Sequence, residues 1–431
     1  MKTIMRNTGI FSTGILLLIQ LFCFTGQADA QPTDTLYRLY KAKQYVALDQ
    51  LNKDTKHPLY HFYKGLYLNA CNQPAQSNQE LNTFAKGKKD PPQNVAFEYW
   101  TVRGDNYIKL FDYRNAASVQ KMLLDNFKSR FNAEEYEGEM NAVKIWQSLV
   151  REKAQSIVQP TSAIVPLTHD LAGLINIRVS ADGVDTNFVF DTGAGMSSIT
   201  ESLAKKLNFR FMPDTGIKVS GFNGIYNPVR IAVADELKIG DVVVHNEPFL
   251  VFQDEALSFA GGAYKINGII GFPIAKGLGS ITIAKDHLKI DGSAMPDAAA
   301  HKNLFVEQLR PVFLMTYKGK TIPFNFDTGA NTSQFSKTFY DQFGAELKST
   351  GKIETNRFAS AGGEKETKAL VVQNIKFLSG TEEIIFPEIR IDIENYHVSG
   401  KELFGNIGQD LLKRYKEVTI SFTGNYLKLV K

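Results

Sequence analysis

One short acidic motif occurs twice with its approach strand, and the spacing of the two copies constrains this chain more than any other feature. Ala181-Asp182-Gly183 leads into Phe188-Val189-Phe190-Asp191-Thr192-Gly193-Ala194, and Tyr317-Lys318-Gly319 leads into Phe324-Asn325-Phe326-Asp327-Thr328-Gly329-Ala330. The turn glycine and the acid are both offset by 136 residues. Downstream, Ser220-Gly221-Phe222-Asn223-Gly224 has a counterpart in Ser360-Ala361-Gly362-Gly363, and Ile269-Ile270-Gly271 in Asn406-Ile407-Gly408. Each copy closes on an amphipathic strand pair, 280–290 and 417–430. Four landmarks in one order at nearly constant offset describe a repeated unit. A third Asp-Thr-Gly, Asp214-Thr215-Gly216, follows Phe211-Met212-Pro213 with no hydrophobic strand leading in, and the proline suits a surface turn.

The repeat occupies only the second part of the chain. From residue 164 onward, short β-branched and aromatic runs (174–179, 187–190, 229–233, 241–244, 280–283) alternate with Gly and Asn, which is β-sheet patterning. A small, polar linker at 291–302 separates the two copies. Residues 34–150 read differently. Leu59, Tyr63, Leu66 and Ala70 recur at helical spacing, as do apolar residues of 96–110. The windows around Gly65 and Gly104 resemble each other, each followed by a polar turn and a second helical stretch. That is similar to a tetratricopeptide-like stack of helical hairpins with a lengthened period; an irregular helical bundle is the alternative. The expected organisation is a targeting segment at 1–30, a helical region at 31–155, a first β lobe at 162–292 and a second at 303–431.

The targeting segment has Lys2 and Arg6 before an apolar stretch, 14–24, that is short for a membrane span, then Ala28-Asp29-Ala30 as a cleavage site. It reads as a signal peptide, with an uncleaved anchor as the alternative. Gln20-Leu21-Phe22 ahead of Cys23 lacks the small residues of a lipoprotein signal. With a Phe-, Lys- and Asn-rich composition, it suits an exported protein of a bacterial envelope, periplasmic or extracellular. Only Cys71 then remains, so no intrachain disulfide forms, and its apolar helical surroundings suit packing.

A net charge of +4 and the lack of basic runs with interleaved aromatics argue against nucleic acid as a partner. No His-Glu-x-x-His, paired cysteines or Gly-x-Ser-x-Gly elbow is present. His57 and His61 lie four apart, but Pro58 intervenes and no third ligand follows, so neither a metal nor a cofactor is expected.

The duplicated motif, followed in each copy by a hydrophobic-hydrophobic-Gly turn, resembles the retropepsin-like aspartic peptidase superfamily in its duplicated, single-chain form. The resemblance covers roughly 162–431. It implies two tandem β-barrel lobes forming one pepsin-like bilobal unit behind the helical region, a multidomain α plus all-β chain. It also implies an endopeptidase whose catalytic carboxylates are Asp191 and Asp327. Two carboxylates about 3 Å apart cannot both ionise, so they share a proton and supply both base and acid. Thr192 and Thr328 would hydrogen-bond across the dyad; Gly193 and Gly329 would allow the close approach. Ala194 and Ala330 replace the hydroxyl residues of pepsin-like enzymes, so the dyad should protonate more easily and activity should extend toward neutral pH.

Gly221, Phe222, Asn223, Gly224 and Ser360, Ala361, Gly362, Gly363 are the candidate flaps that would bind a peptide or protein substrate. Tyr226 is either a flap tyrosine or ordinary hairpin packing. Phe272 and Gln409 stand where retroviral enzymes carry a bracing arginine, and Asn406 stands where a hydrophobic residue is expected; neither departure is expected to touch the dyad. The helical region could be a prosegment, a docking arm for a protein partner or a stabiliser. The alternative function is a catalytically silent peptide-binding or envelope scaffold protein on the same fold.

Overall fold

The computed structural model describes residues 35–86, 91–158, 160, 162–221, 224–292, 297, 300–360, 363–394 and 403–431. The targeting segment 1–30 and the flap residues Phe222, Asn223, Ala361 and Gly362 lie outside them.

The first third is helical: Thr35–Lys41, Tyr45–Leu51, Tyr60–Ala70, Pro74–Ala85, Gln93–Lys109, Tyr113–Asn126 and Ala133–Ser148. Local chemistry sets several of the boundaries. Pro74 sits in the first turn of its helix. Asp112 accepts from the Asn115 amide, and Asn132 with Glu135 forms a full capping box. Gly65 and Gly104 mark where consecutive helices approach most closely. A Cβ on Gly65 would stand 2.8 Å from the Leu81 side chain, and one on Gly104 would stand 3.3 Å from Val119.

The remainder forms two large sheets. In the first, the hairpin Ile175–Ala181/Val184–Phe190 turns through Asp182 and Gly183, both at positive φ, the geometry that two-residue hairpin loops prefer. Val184–Phe190 then runs parallel to Gly268–Ile270, which is antiparallel to Ser197–Thr200, which is parallel to Val242–Phe252. The second sheet repeats this succession. Arg310–Tyr317/Lys320–Phe326 turns through Lys318 and Gly319, again at positive φ, and is followed in space by Gly405–Ile407, Gln334–Phe335 and Glu382–Asp392.

Two expectations need correction. The lobes are curled sheets, and there is no closed barrel among the described residues. In each, one additional residue pair bridges strands that are not neighbours in the main order, Ser180 with Lys238 in one and Thr316 with Leu378 in the other. A single pair is too little to make a ladder. The second lobe is also not confined to its own sheet. Glu417–Ser421 and Tyr426–Val430 join the first sheet through Ser280–Ile283. This 14-stranded sheet therefore ties the two halves together.

The helical region is docked on both halves. Tyr45 packs on Phe305 with ring centroids 4.9 Å apart, and Lys43 pairs with Glu307. Lys109, fully buried, pairs with Asp105 at 2.7 Å and donates to the Val306 carbonyl at 2.9 Å. Lys276, from the first half, donates to the Lys109 carbonyl at 2.8 Å. Tyr113, Ile145 and Trp146 belong to the same apolar core as Phe188, Phe272 and Phe324. Among the described residues no helix is long and apolar enough to cross a membrane.

Candidate active site

Phe188-Val189-Phe190 and Phe324-Asn325-Phe326 are buried strand ends, and the chain leaves each directly into an Asp-Thr-Gly loop. The two loops meet face to face. Thr192 Oγ1 donates to the Phe326 carbonyl at 2.9 Å and accepts from the Thr328 amide at 3.1 Å. Thr328 Oγ1 donates to the Phe190 carbonyl at 2.7 Å and accepts from the Thr192 amide at 3.0 Å. These four reciprocal bonds are wholly buried, so each loop completes the backbone hydrogen bonding of the other.

The glycines explain how close the approach is. A Cβ on Gly193 would stand 2.5 Å from Asp327 Cγ, and one on Gly329 would stand 2.2 Å from Asp191 Cγ. Only hydrogen fits at either place, although neither glycine has positive φ.

Asp191 and Asp327 are both fully buried. Asp191 Oδ1 accepts from the Gly193 amide at 2.8 Å and the Ala194 amide at 3.1 Å. Asp327 Oδ1 accepts from the Gly329 amide at 2.8 Å. The two carboxyls face each other, each against the glycine of the other loop. Burial, then the neighbouring Asp327 charge, pushes Asp191 well above the usual carboxylate range. Burial also raises Asp327, but hydrogen bonds from Asp191 and Asn406 work against it. The pair titrates as a unit.

The residues read as harmless departures do touch this centre. Asn406 Nδ2 donates to Asp327 Oδ2 at 2.8 Å. Gln409, fully buried, donates from Nε2 to the Thr328 carbonyl at 2.6 Å, bracing the second loop from behind. Phe272 instead packs edge-on against Phe422, with centroids 5.2 Å apart, at the sheet shared by the two halves. Asn406 and Gln409 are thus not neutral departures, because a buried polar side chain beside the dyad loops needs a hydrogen-bond partner there.

A second pair of polar relays went unnoticed in the sequence. Ser197 Oγ accepts from the Gly271 amide at 3.0 Å and donates to Glu247 at 2.6 Å. Ser333 Oγ accepts from the Gly408 amide at 3.0 Å and donates to Asp410 at 2.6 Å. The available signal was Ser197 and Ser333, which keep the 136-residue offset. Glu247 also accepts from Gln155, and burial pushes its carboxyl up to about 7.

The flap candidates lie on two hairpins. Ile217–Ser220 pairs with Tyr226–Ile239, and Gly221 and Gly224 flank the turn, Gly224 at positive φ. Lys352–Ser360 pairs with Gly363–Ser379 through Ser360 and Gly363. The helix Ala133–Ser148 grips the base of the first hairpin. Asn141 Oδ1 accepts from the Lys218 amide at 3.0 Å, and Lys144 Nζ donates to the Gly216 carbonyl at 3.1 Å. Tyr226 is half-buried, with Glu134 and Glu137 of this helix near its phenol. Asp214-Thr215-Gly216 is an exposed turn in which Gly216 donates to Asp214. His61 pairs with Glu80 at 2.6 Å. Among the described residues no cluster suited to a metal is present.

Residues 177–274, which carry Asp191 and Gly271, match the family model described as an aspartyl protease. The chain is also similar to the crystal structure of a retropepsin-like aspartic protease from Rickettsia conorii. The identity is 20%, with 32% of this chain and 94% of that chain covered, and the TM-score is 0.22. No curated protein matches the chain.

Proposed function

We propose that this chain is an exported aspartic endopeptidase in which Asp191 and Asp327 share one proton and activate a single water. The observation that carries the reading is that two fully buried carboxyls are brought face to face by two loops locked reciprocally by Thr192 and Thr328. Such a pair supplies the base that deprotonates water and the acid that protonates the carbonyl oxygen, without a covalent intermediate. Collapse of the resulting gem-diol then breaks the C–N bond, as the proton taken from water passes to the leaving amine and the diol returns a proton to the dyad. Because burial raises Asp191, its proton persists as pH rises, which supports activity reaching toward neutral pH.

Both carboxyls are closed from solvent, so substrate reaches them only when the cleft opens. The hairpins bearing Gly221, Gly224, Ser360 and Gly363 are the segments that would move. The helical hairpins, tetratricopeptide-like in this reading, act as a fixed brace with an outer face free for a protein partner. Their buried links to both halves through Lys43 and Lys109 support that role.

The test is a mixed-sequence peptide library incubated with the purified protein from acid to neutral pH, with cleavage read by mass spectrometry. Asp191→Asn and Asp327→Asn should each abolish cleavage, a statine-type inhibitor should block it, and Asp214→Asn should leave it intact. Cleavage surviving in either dyad variant would refute the assignment. Failure of the wild type to cut any peptide would favour a silent binding protein.

A further inference from the structure

One pair of ladder positions beside the Asp-Thr-Gly loops differs in character between the two halves of the site. In the first half, Val189 and Ile269 are register partners in the parallel ladder. In the second half, the corresponding partners are Asn325 and Asn406. Both asparagines are more than nine-tenths buried. Burying amides where the twin lobe uses aliphatic side chains is costly unless they are hydrogen-bonded. Asn325 Nδ2 donates to Asn406 Oδ1 at 2.7 Å, and Asn406 Nδ2 donates to Asp327 Oδ2 at 2.8 Å. With Asp327 ionised, the direction is set. With its oxygen held by Asn325, Asn406 can present only its NH2 group to the carboxylate, and the reverse orientation would set two acceptors against each other.

The outcome is a lopsided dyad. Asp327 has a donor on each oxygen, Gly329 N and Asn406 Nδ2. Asp191 has both of its protein donors on Oδ1, and among the described residues no donor reaches its Oδ2. A carboxylate oxygen that accepts a hydrogen bond is stabilised as the anion, whereas an oxygen without a donor is where a proton rests most easily. The titratable group facing each carboxyl is the other one. The next ones outward, Glu247 and Asp410, each stand behind a serine rather than against a carboxyl of the dyad. Arg414 is engaged with Asp410.

We propose that Asn406, aimed by Asn325, is a positioning residue that holds Asp327 as the ionised member of the dyad and leaves the shared proton on Asp191 Oδ2. This rests on the aspartic peptidase reading and assigns its roles. Asp327 takes a proton from water as the water oxygen attacks the carbonyl carbon, and Asp191 gives its proton to the carbonyl oxygen. The C–N bond then breaks with transfer of the Asp327 proton to nitrogen, and Asp191 regains a proton from the diol.

The sign of the pH effect follows. Asn406 stabilises Asp327 as an anion both when Asp191 is protonated and when it is not. Losing that bond therefore raises the first deprotonation of the pair and leaves the second nearly unmoved. The test replaces the amide pair with the residues of the first half, Asn325→Val together with Asn406→Ile, in the full chain. Aspartate carboxyl carbons are followed by NMR against pH, assigned with Asp191→Asn and Asp327→Asn, and kcat/KM is profiled in parallel.

The wild type should ionise at Asp327 first. In the double variant that first step should rise by about one to two pH units, the range expected for a lost hydrogen bond to a charged group. The acid limb of kcat/KM should move with it while the alkaline limb stays. Ionisation of Asp191 first in the wild type, or a folded double variant with an unshifted first step, overturns the proposal. Should the double variant unfold, Asn325→Val alone, which removes only the aiming partner, must shift the first step in the same direction or the proposal fails. A wild type that cleaves nothing yet ionises Asp327 first would refute the peptidase reading and leave the role of Asn406 standing.

Discussion

Replacing Glu247 with glutamine should make the protein more stable at neutral pH and leave it nearly unchanged in acid. Glu247 is fully buried on the strand Val242–Phe252, bonded to Ser197 and Gln155, with no cation beside it among the described residues. Its carboxyl moves from 4.5 to about 7 because burial penalises the charge more than the two hydrogen bonds offset it. The folded protein therefore holds this proton more tightly than the unfolded chain does. Stability falls as pH rises from about 4.5 to about 7 and is level on either side. At about 1.4 kcal/mol per pH unit, the full fall is about 3 kcal/mol. A glutamine mimics the protonated acid, with the Gln155 amide rotating to present its oxygen. Urea melts of wild type and E247Q at several pH values give the difference directly, and other titrating groups cancel in it. The difference should be small at pH 4.5 and favour E247Q by up to about 3 kcal/mol at pH 8. A difference that does not vary across this window would refute the reasoning.

Two further outcomes follow from the interlocked loops. Thr192→Val leaves the Thr328 amide and the Phe326 carbonyl buried without partners, so it should lower stability in urea melts by about 2–4 kcal/mol, with Thr192→Ser recovering most of it. Gly329→Ala sets a methyl 2.2 Å from the present position of Asp191 Cγ. Peptide cleavage should drop at least about a hundredfold in a chain that still folds, since small misplacements of reacting groups have that effect.

How far the sequence alone reaches differs from element to element. The helical region and the β-rich remainder were legible because period and composition change near residue 150. The two approach strands were legible because Phe188-Val189-Phe190 and Phe324-Asn325-Phe326 are buried runs that stop at an acid and a glycine. The strand 417–421 was legible as a strand but not in its partner. Alternation records which face is buried, not which neighbour is bonded, and Ser280–Ile283 lies far away in sequence. The Asn325–Asn406–Asp327 chain was half visible: Asn406 stood out as an odd residue, but its partner across the ladder emerges only when two distant strands are set in register.

The shared sheet has a consequence for synthesis. Glu417–Ser421 and Tyr426–Val430 complete the layer that carries the first half, and they are made after both Asp191 and Asp327. A nascent chain that has already made Asp191, and even Asp327, still lacks the two strands that bind its halves into one body. The two halves of a partly made chain are thus not yet joined through this layer, even where both Asp-Thr-Gly loops have been made.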